Sequence, residues 1–153
     1  MNLDATDHVL LRALSTSGRA TFAQLAEDTG LSTSATQARV RRLESEGVIT
    51  GYRAVIDPEE AGMPLAAFVE ITPLDPAQPD DAPRRLESIS EITACHSIAG
   101  DASYMLTVRV STPRALEELL GRIRSTAGVR TRTTVALQTF FERPVTPDRP
   151  KHD

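Results

Sequence analysis

Over the first fifty residues, apolar positions recur with a helical period and are interrupted by caps and glycines. Leu10, Leu11 and Leu14 follow Asp4 and Asp7 at helical spacing, which predicts a helix opening at Asp4 and closing near Gly18. Thr21 and Gln24 form a capping-box pair for a second, short helix through Leu25 and Ala26, closed by Gly30. Ser32 caps a third helix that is expected to run to about Glu46, with Gly47 as its stop. After residue 64 the pattern changes. Residues 65–71 read as a strand, and a Pro- and Asp-rich loop over 73–83 leads to a short helix carrying Leu86 and Ile89. Residues 92–99 and 104–110 are two further strand-like runs; in the second, Tyr104, Leu106, Val108 and Val110 alternate with Met105, Thr107 and Arg109. Thr112 caps a helix with Pro113 in its first turn and Leu116, Leu119, Leu120 and Ile123 on one face. Residues 131–141, β-branched and aromatic, make a last strand. The expected fold class is α+β: an N-terminal winged helix-turn-helix domain followed by a ferredoxin-like βαββαβ domain.

The boundaries follow from punctuation. Gly51, Pro58, Gly62 and Pro64 separate the two halves. The expected division is residues 1–50 for the helical domain, 51–63 for a linker, 64–141 for the ferredoxin-like domain and 142–153 for a charged, proline-rich tail read as disordered. Domains this small bury little of their unfolded surface, so a homodimer is expected, with strand edges from 48–56 and from the C-terminal sheet paired between chains.

Composition narrows the classes. Hydrophobic residues are 40% and charged residues 25% of the 153-residue chain, an ordinary globular mix with no apolar run long enough to span a bilayer. No basic and apolar leader pattern opens the sequence, so the expected compartment is the cytoplasm. The net charge of −4 argues against nucleic acid across the whole surface, but leaves room for a local basic patch. A single cysteine excludes an internal disulfide and a multi-cysteine zinc site, and no cofactor motif is present.

The local basic patch lies on the third helix. Projected at about 100° per residue, Thr36, Val40 and Leu43 share the inward face. Ser34, Gln37, Ala38 and Arg41 fall opposite, with Arg42 flanking. Small residues let the helix approach the groove floor, Gln suits an adenine edge, and Arg suits guanine or phosphate. Ser32, Thr33 and Ser34 stand at the helix N-terminus, where hydroxyls and amides can meet a phosphate. An ordinary solvated helix face is the alternative. Arg39 lies nearer the buried edge and reads as a helix-anchoring ion-pair or phosphate residue.

These residues carry a resemblance. LDATDHVLLRAL and GRATFAQLAEDTGLSTSATQARVRRLESEGVITGYRAVIDPEEAG resemble the N-terminal half of the leucine-responsive/asparagine-synthesis (Lrp/AsnC, feast/famine) transcription regulators. HSIAGDASYMLTVRV and RTRTTVAL are similar to their amino-acid-sensing domain. The most specific stretches are Leu31-Ser32, Arg39 to Glu44, Gly47-Val48-Ile49 and Gly51-Tyr52. The resemblance implies sequence-specific binding to a palindromic double-stranded DNA operator, modulated by an amino acid, by a homodimer that assembles further, often to an octamer. It makes the linker over 51–63 a β-strand, and it places effector binding between dimers, at the loop Gly100, Asp101, Ala102, Ser103 and Tyr104, completed by Thr134 and Val135. That loop departs from the family's Gly-x-aromatic-Asp-aromatic pattern: Ser103 stands where an acid meets the ligand amine, and Ala102 where an aromatic is usual. The expectation is an amine held by Asp101, a backbone carbonyl or a neighbouring chain, a carboxylate held by free loop amides and the Ser103 hydroxyl, and a larger, preferably aromatic, effector. The loop at 73–83 is also longer than usual.

Other readings carry less. Cys95 and His96 are adjacent on a strand and point to opposite faces, so they form no nucleophile dyad; a buried thiol beside a partly exposed His is expected. His8, His96 and His152 share no ligand spacing. The second half could equally be an allosteric domain of an enzyme, but the first half has a recognition helix and no catalytic constellation. A structural DNA-compacting protein remains the third class.

Overall fold

The structure, a computed structural model, describes residues 3–75, 77, 80–143, 145 and 146; most of the tail and three residues of the 73–83 loop lie outside the described residues, as do Lys151 and His152. Two compact units form, one built on the chain up to Val55 and the other on Ile56–Phe140.

The first unit is three helices: α1 (Ala5–Thr16), α2 (Phe22–Thr29) and α3 (Thr33–Ser45). Each starts where a side chain can accept an orphan backbone N–H. Asp4 and Thr21 both close full capping boxes, with Asp7 and Gln24 answering back, and Ser32 accepts from Ala35. Gly30 ends α2 at φ +71°, a left-handed conformation that a side chain would strain, and so sets the tight turn into α3. Leu10, Leu25, Val40 and Leu43 are the core, with Val48 and Ile49 folded back against it; both of their amides donate to the Leu43 carbonyl. Tyr52 is tied down as well: its hydroxyl donates to Glu44 at 2.8 Å, and burial first, then that carboxylate, push its pKa up to about 12.

The expected wing and the strand over 51–63 do not form in the single chain. Residues 48–57 make no β-ladder, because a strand needs a partner and none of the described residues pairs there; Val55 and Ile56 stand 98% and 68% exposed. Beyond them, residues 58–62 turn, closed by the Met63 amide on the Pro58 carbonyl at 2.7 Å.

The second unit has β1 (Leu65–Pro73), α4 (Ala82–Leu86), β2 (Ile92–Ser97), β3 (Tyr104–Val110), α5 (Pro113–Ala127) and β4 (Val129–Ala136). The sheet order is β2-β3-β1-β4, antiparallel throughout, which is the ferredoxin-like arrangement read from the sequence. One face carries Ala67, Val69, Ile71, Leu106, Val108 and Val110 against Leu86, Leu116, Leu119 and Ile123 of the helices. The other face is open and carries Phe68, Glu70 and Thr72 of β1 beside Arg130, Arg132 and Thr134 of β4.

Three expectations are corrected. β4 stops at Ala136 and does not reach residue 141, because its partner strand begins at Leu65 and Ala66 already pairs with Ala136; Leu137, Phe140 and Phe141 are 98%, 83% and 71% exposed. β2 ends at Ser97, two residues before the expected 99. Cys95 is exposed and not buried, since β2 is an edge strand and the five-residue α4 covers it incompletely.

Candidate functional site

The position of α3 is fixed by a carboxylate that the sequence pattern did not single out. Asp7 is fully buried and accepts from two arginines of α3: Arg39 at 3.0 Å and Arg42 at 2.6 Å. Arg39 also reaches Asp4 at 2.6 Å, and its guanidinium holds the Asp4 carboxyl below the usual carboxylate range. A buried charge is costly unless paired and hydrogen-bonded, and here the pairing locks α3 onto α1. Arg39 is thus the anchor that was expected. Arg42, expected at the flank of the reading face, is engaged to Asp7 instead. The only cue in the sequence was an acid at the third helical position, which a capping box already explains.

With that face occupied, the opposite one is turned out. Ser32, Thr33, Ser34, Ala38 and Arg41 are exposed and Gln37 is half-buried, while Thr36, Val40 and Leu43 are buried. The Thr36 hydroxyl donates to the Ser32 carbonyl at 3.0 Å and so is satisfied in the core. Ser32 Oγ accepts from the Ala35 amide at 3.2 Å, and the amides of Thr33 and Ser34 have no partner among the described residues. The outcome is a narrow strip of hydroxyl, amide and guanidinium groups leading to a helix N-terminus. A concavity of about 970 Å³ lies between α1 and α2, and none of its lining residues comes from α3.

In the second unit, residues 98–103 connect β2 to β3. Contrary to expectation, the Ser103 amide is not free. It donates to the Ile71 carbonyl at 3.1 Å, and the Ser103 carbonyl accepts from Ile98 at 3.1 Å. The amides of Gly100, Asp101 and Ala102 have no partner among the described residues. Gly100 lies outside the left-handed region and a Cβ there would meet open space, so the turn itself does not demand glycine. Tyr104 turns away from the loop: it packs with the core, and a hydrogen bond to Asp80 raises its pKa.

A cavity of about 280 Å³ brings Asp101 and Ala102 together with Glu70, Thr72, Arg130, Thr131 and Arg132. Thr134 and Val135 are not part of it. Ile71 stands beside both Tyr104 and Thr131, so Thr134 lies three residues, ~10 Å, further along β4. The side chains of Thr134 and Val135 also leave the strand on opposite faces, so one loop of the same chain cannot use both. Glu70, Thr72, Arg130 and Arg132 were not singled out from the sequence, because only the β1–β4 register, Glu70 beside Arg132 and Thr72 beside Arg130, puts them next to the loop. Among the described residues no group of three His, Cys, Asp or Glu is placed to hold a metal, and no helix is long and apolar enough to cross a membrane.

Comparison with known proteins matches both units. Residues 3–44 match the AsnC-type helix-turn-helix domain, and residues 66–146 the Lrp/AsnC ligand binding domain. The chain is 60% identical over 139 residues to the HTH-type transcriptional regulator LrpA of Mycobacterium tuberculosis, covering 91% of this chain and 93% of that one. A feast or famine regulatory protein of M. tuberculosis, solved in complex with L-methionine, superposes with a TM-score of 0.92 at 58% identity, covering 95% of this chain and 100% of that one. A transcriptional regulator of Neisseria meningitidis in an L-methionine complex superposes with a TM-score of 0.87 at 26% identity, covering 95% and 97%.

Proposed function

The chain belongs to the Lrp/AsnC family of transcription regulators, and from that premise we propose that it reads DNA through Ser34, Gln37, Ala38 and Arg41 of α3 and takes an amino acid at the loop of residues 100–103. The observation that carries the first half is the orientation of α3. Its inward arginines are bound to Asp7, so its outward strip is left for a groove. Ser32 and Thr33, with the free amides at the helix N-terminus, are assigned to phosphate.

Arg41→Ala is the direct test. A lost base contact weakens the preferred site by about 1–3 kcal/mol and relaxes sequence preference, whereas a lost phosphate contact weakens all DNA alike. Titration against preferred and random duplexes separates the two, and unchanged affinity for every duplex removes Arg41 from the interface. The chain is assigned as a homodimer in which strand edges from residues 48–56 and from the C-terminal sheet pair with those of a second copy, supported by the exposed Val55 and Ile56. A two-fold dimer reads a palindrome whose half-sites lie about 34 Å, or a multiple of that, apart. Further assembly to an octamer brings the end of β4 at Thr134 and Val135 of one copy to the loop of another, which meets the side chain of one and the backbone of the other. The protein then acts in the cytoplasm, where its DNA is.

The effector is assigned as an amino acid with a large side chain, aromatic before aliphatic, because Ala102 leaves room beside the cavity. Two relatives hold L-methionine, which makes methionine the comparison ligand. A thermal-shift screen of the twenty amino acids tests this. A ligand present at a hundred times its Kd adds about 2.7 kcal/mol to the folded state. A uniformly flat screen contradicts the assignment, and a shift with methionine alone contradicts the aromatic preference.

A further inference from the structure

We propose that Arg130 reads the α-carboxylate of the effector and that the cavity at the start of β4 is a zwitterion cradle. The proposal rests on the amino-acid reading above and deepens it. Four charged side chains line the cavity: Glu70, Asp101, Arg130 and Arg132. Two of them neutralise each other. Arg132 stands opposite Glu70 in the β1–β4 ladder, and the pair is 3.7 Å apart. That leaves one anion and one cation. The side chains of Asp101 and Arg130 have no hydrogen bond or ion pair among the described residues, with each other or with anything else, although both line the same cavity.

An acid and a base held apart across one small cavity form the complement of an α-amino acid, whose ammonium and carboxylate leave the same carbon. Asp101 offers only acceptors, which suits the ammonium; Arg130 offers a planar fork of donors, which suits the carboxylate. The backbone route to the carboxylate is weaker than the sequence suggested, because the Ser103 amide is already spent on Ile71. Thr72, opposite Arg130 on the open face, supplies a hydroxyl to the same space, whereas the Thr131 hydroxyl accepts from Arg124 at 3.2 Å. A site built this way accepts varied side chains but insists on a free carboxylate. A carboxamide presents a neutral oxygen and an N–H pair, which cannot take the charge-assisted, two-pronged contact.

The test uses calorimetric titration of the full chain with L-methionine, L-phenylalanine and their carboxamides. The wild type is expected to bind the better of the two acids at least tenfold more tightly than its amide. Arg130→Gln is expected to weaken the acid by about tenfold or more and to remove the preference over the amide. Arg130→Lys, which keeps the charge but not the fork, is expected to fall between. If Arg130→Gln binds the acid as tightly as the wild type, the assignment of Arg130 fails while the effector site stands. Equal binding of acid and amide by the wild type overturns the proposal without any variant. If neither these acids nor any of the twenty amino acids binds the wild type, the effector reading itself fails, and this one with it.

Discussion

Asp7→Ala is expected to lower the stability of the helix-turn-helix unit by about 3 kcal/mol. Removing one member of a buried ion pair costs about 3–5 kcal/mol where the orphaned charge stays dry. Here Arg39 keeps its contact with Asp4, and the orphan is Arg42, whose side chain is 44% exposed, so water recovers part of that cost. The capping box adds to the loss, because the Asp7 carboxylate accepts the Asp4 amide at 3.1 Å. Urea unfolding followed by circular dichroism reads the effect as a lower midpoint with an unchanged slope. Asp7→Asn keeps the shape and one acceptor and is expected to lose less. A change below about 1 kcal/mol for Asp7→Ala, within the range of an exposed pair, would mean that packing of Leu10, Leu25, Val40 and Leu43 alone holds α3 in place.

The second large effect belongs to the other unit. Leu119 is fully buried on α5, in the cluster with Leu106, Val108 and Ile123. Leu119→Ala removes buried methyl groups and leaves a cavity, together worth about 2–5 kcal/mol. Five residues earlier on the same helix, Arg114 pairs with Glu118 at 3.1 Å, but the two side chains are 87% and 65% exposed. Arg114→Ala is expected to cost less than about 0.5 kcal/mol. The contrast matters more than either value. Equal losses at the two positions would show that the apolar face of α5 does not decide the stability of this unit.

The helices were legible because their signals are local. Asp4, Thr21, Ser32 and Thr112 each cap within three residues of the amide they serve, and Leu116, Leu119 and Ile123 share a face by spacing alone. The strands were legible as strands, but their ends were not. β4 stops where Ala66 runs out of chain to pair with, and that limit is set some seventy residues away in sequence. Candidate sites divide the same way. The outward strip of α3 follows from one helix, so Ser34, Gln37, Ala38 and Arg41 could be read directly. Asp7 read as a second acid near the start of the first helix and proved to be the anchor for two arginines more than thirty residues downstream. The cavity around Asp101 needed the register of β1 against β4, which no periodicity contains. Thr134 and Val135 came only from resemblance, and the single chain leaves them outside that cavity.

The central claim is that α3 binds DNA and that an amino acid in the second unit changes that binding. One measurement addresses both: affinity for duplexes selected from a random library, titrated with and without the amino acid that shifts the melting temperature most. The account predicts selection of an imperfect palindrome and a change in its affinity of about 5-fold or more on adding the amino acid, the range of a coupling free energy of about 1–3 kcal/mol. Affinity that is the same for every duplex and is unmoved by any amino acid would contradict it.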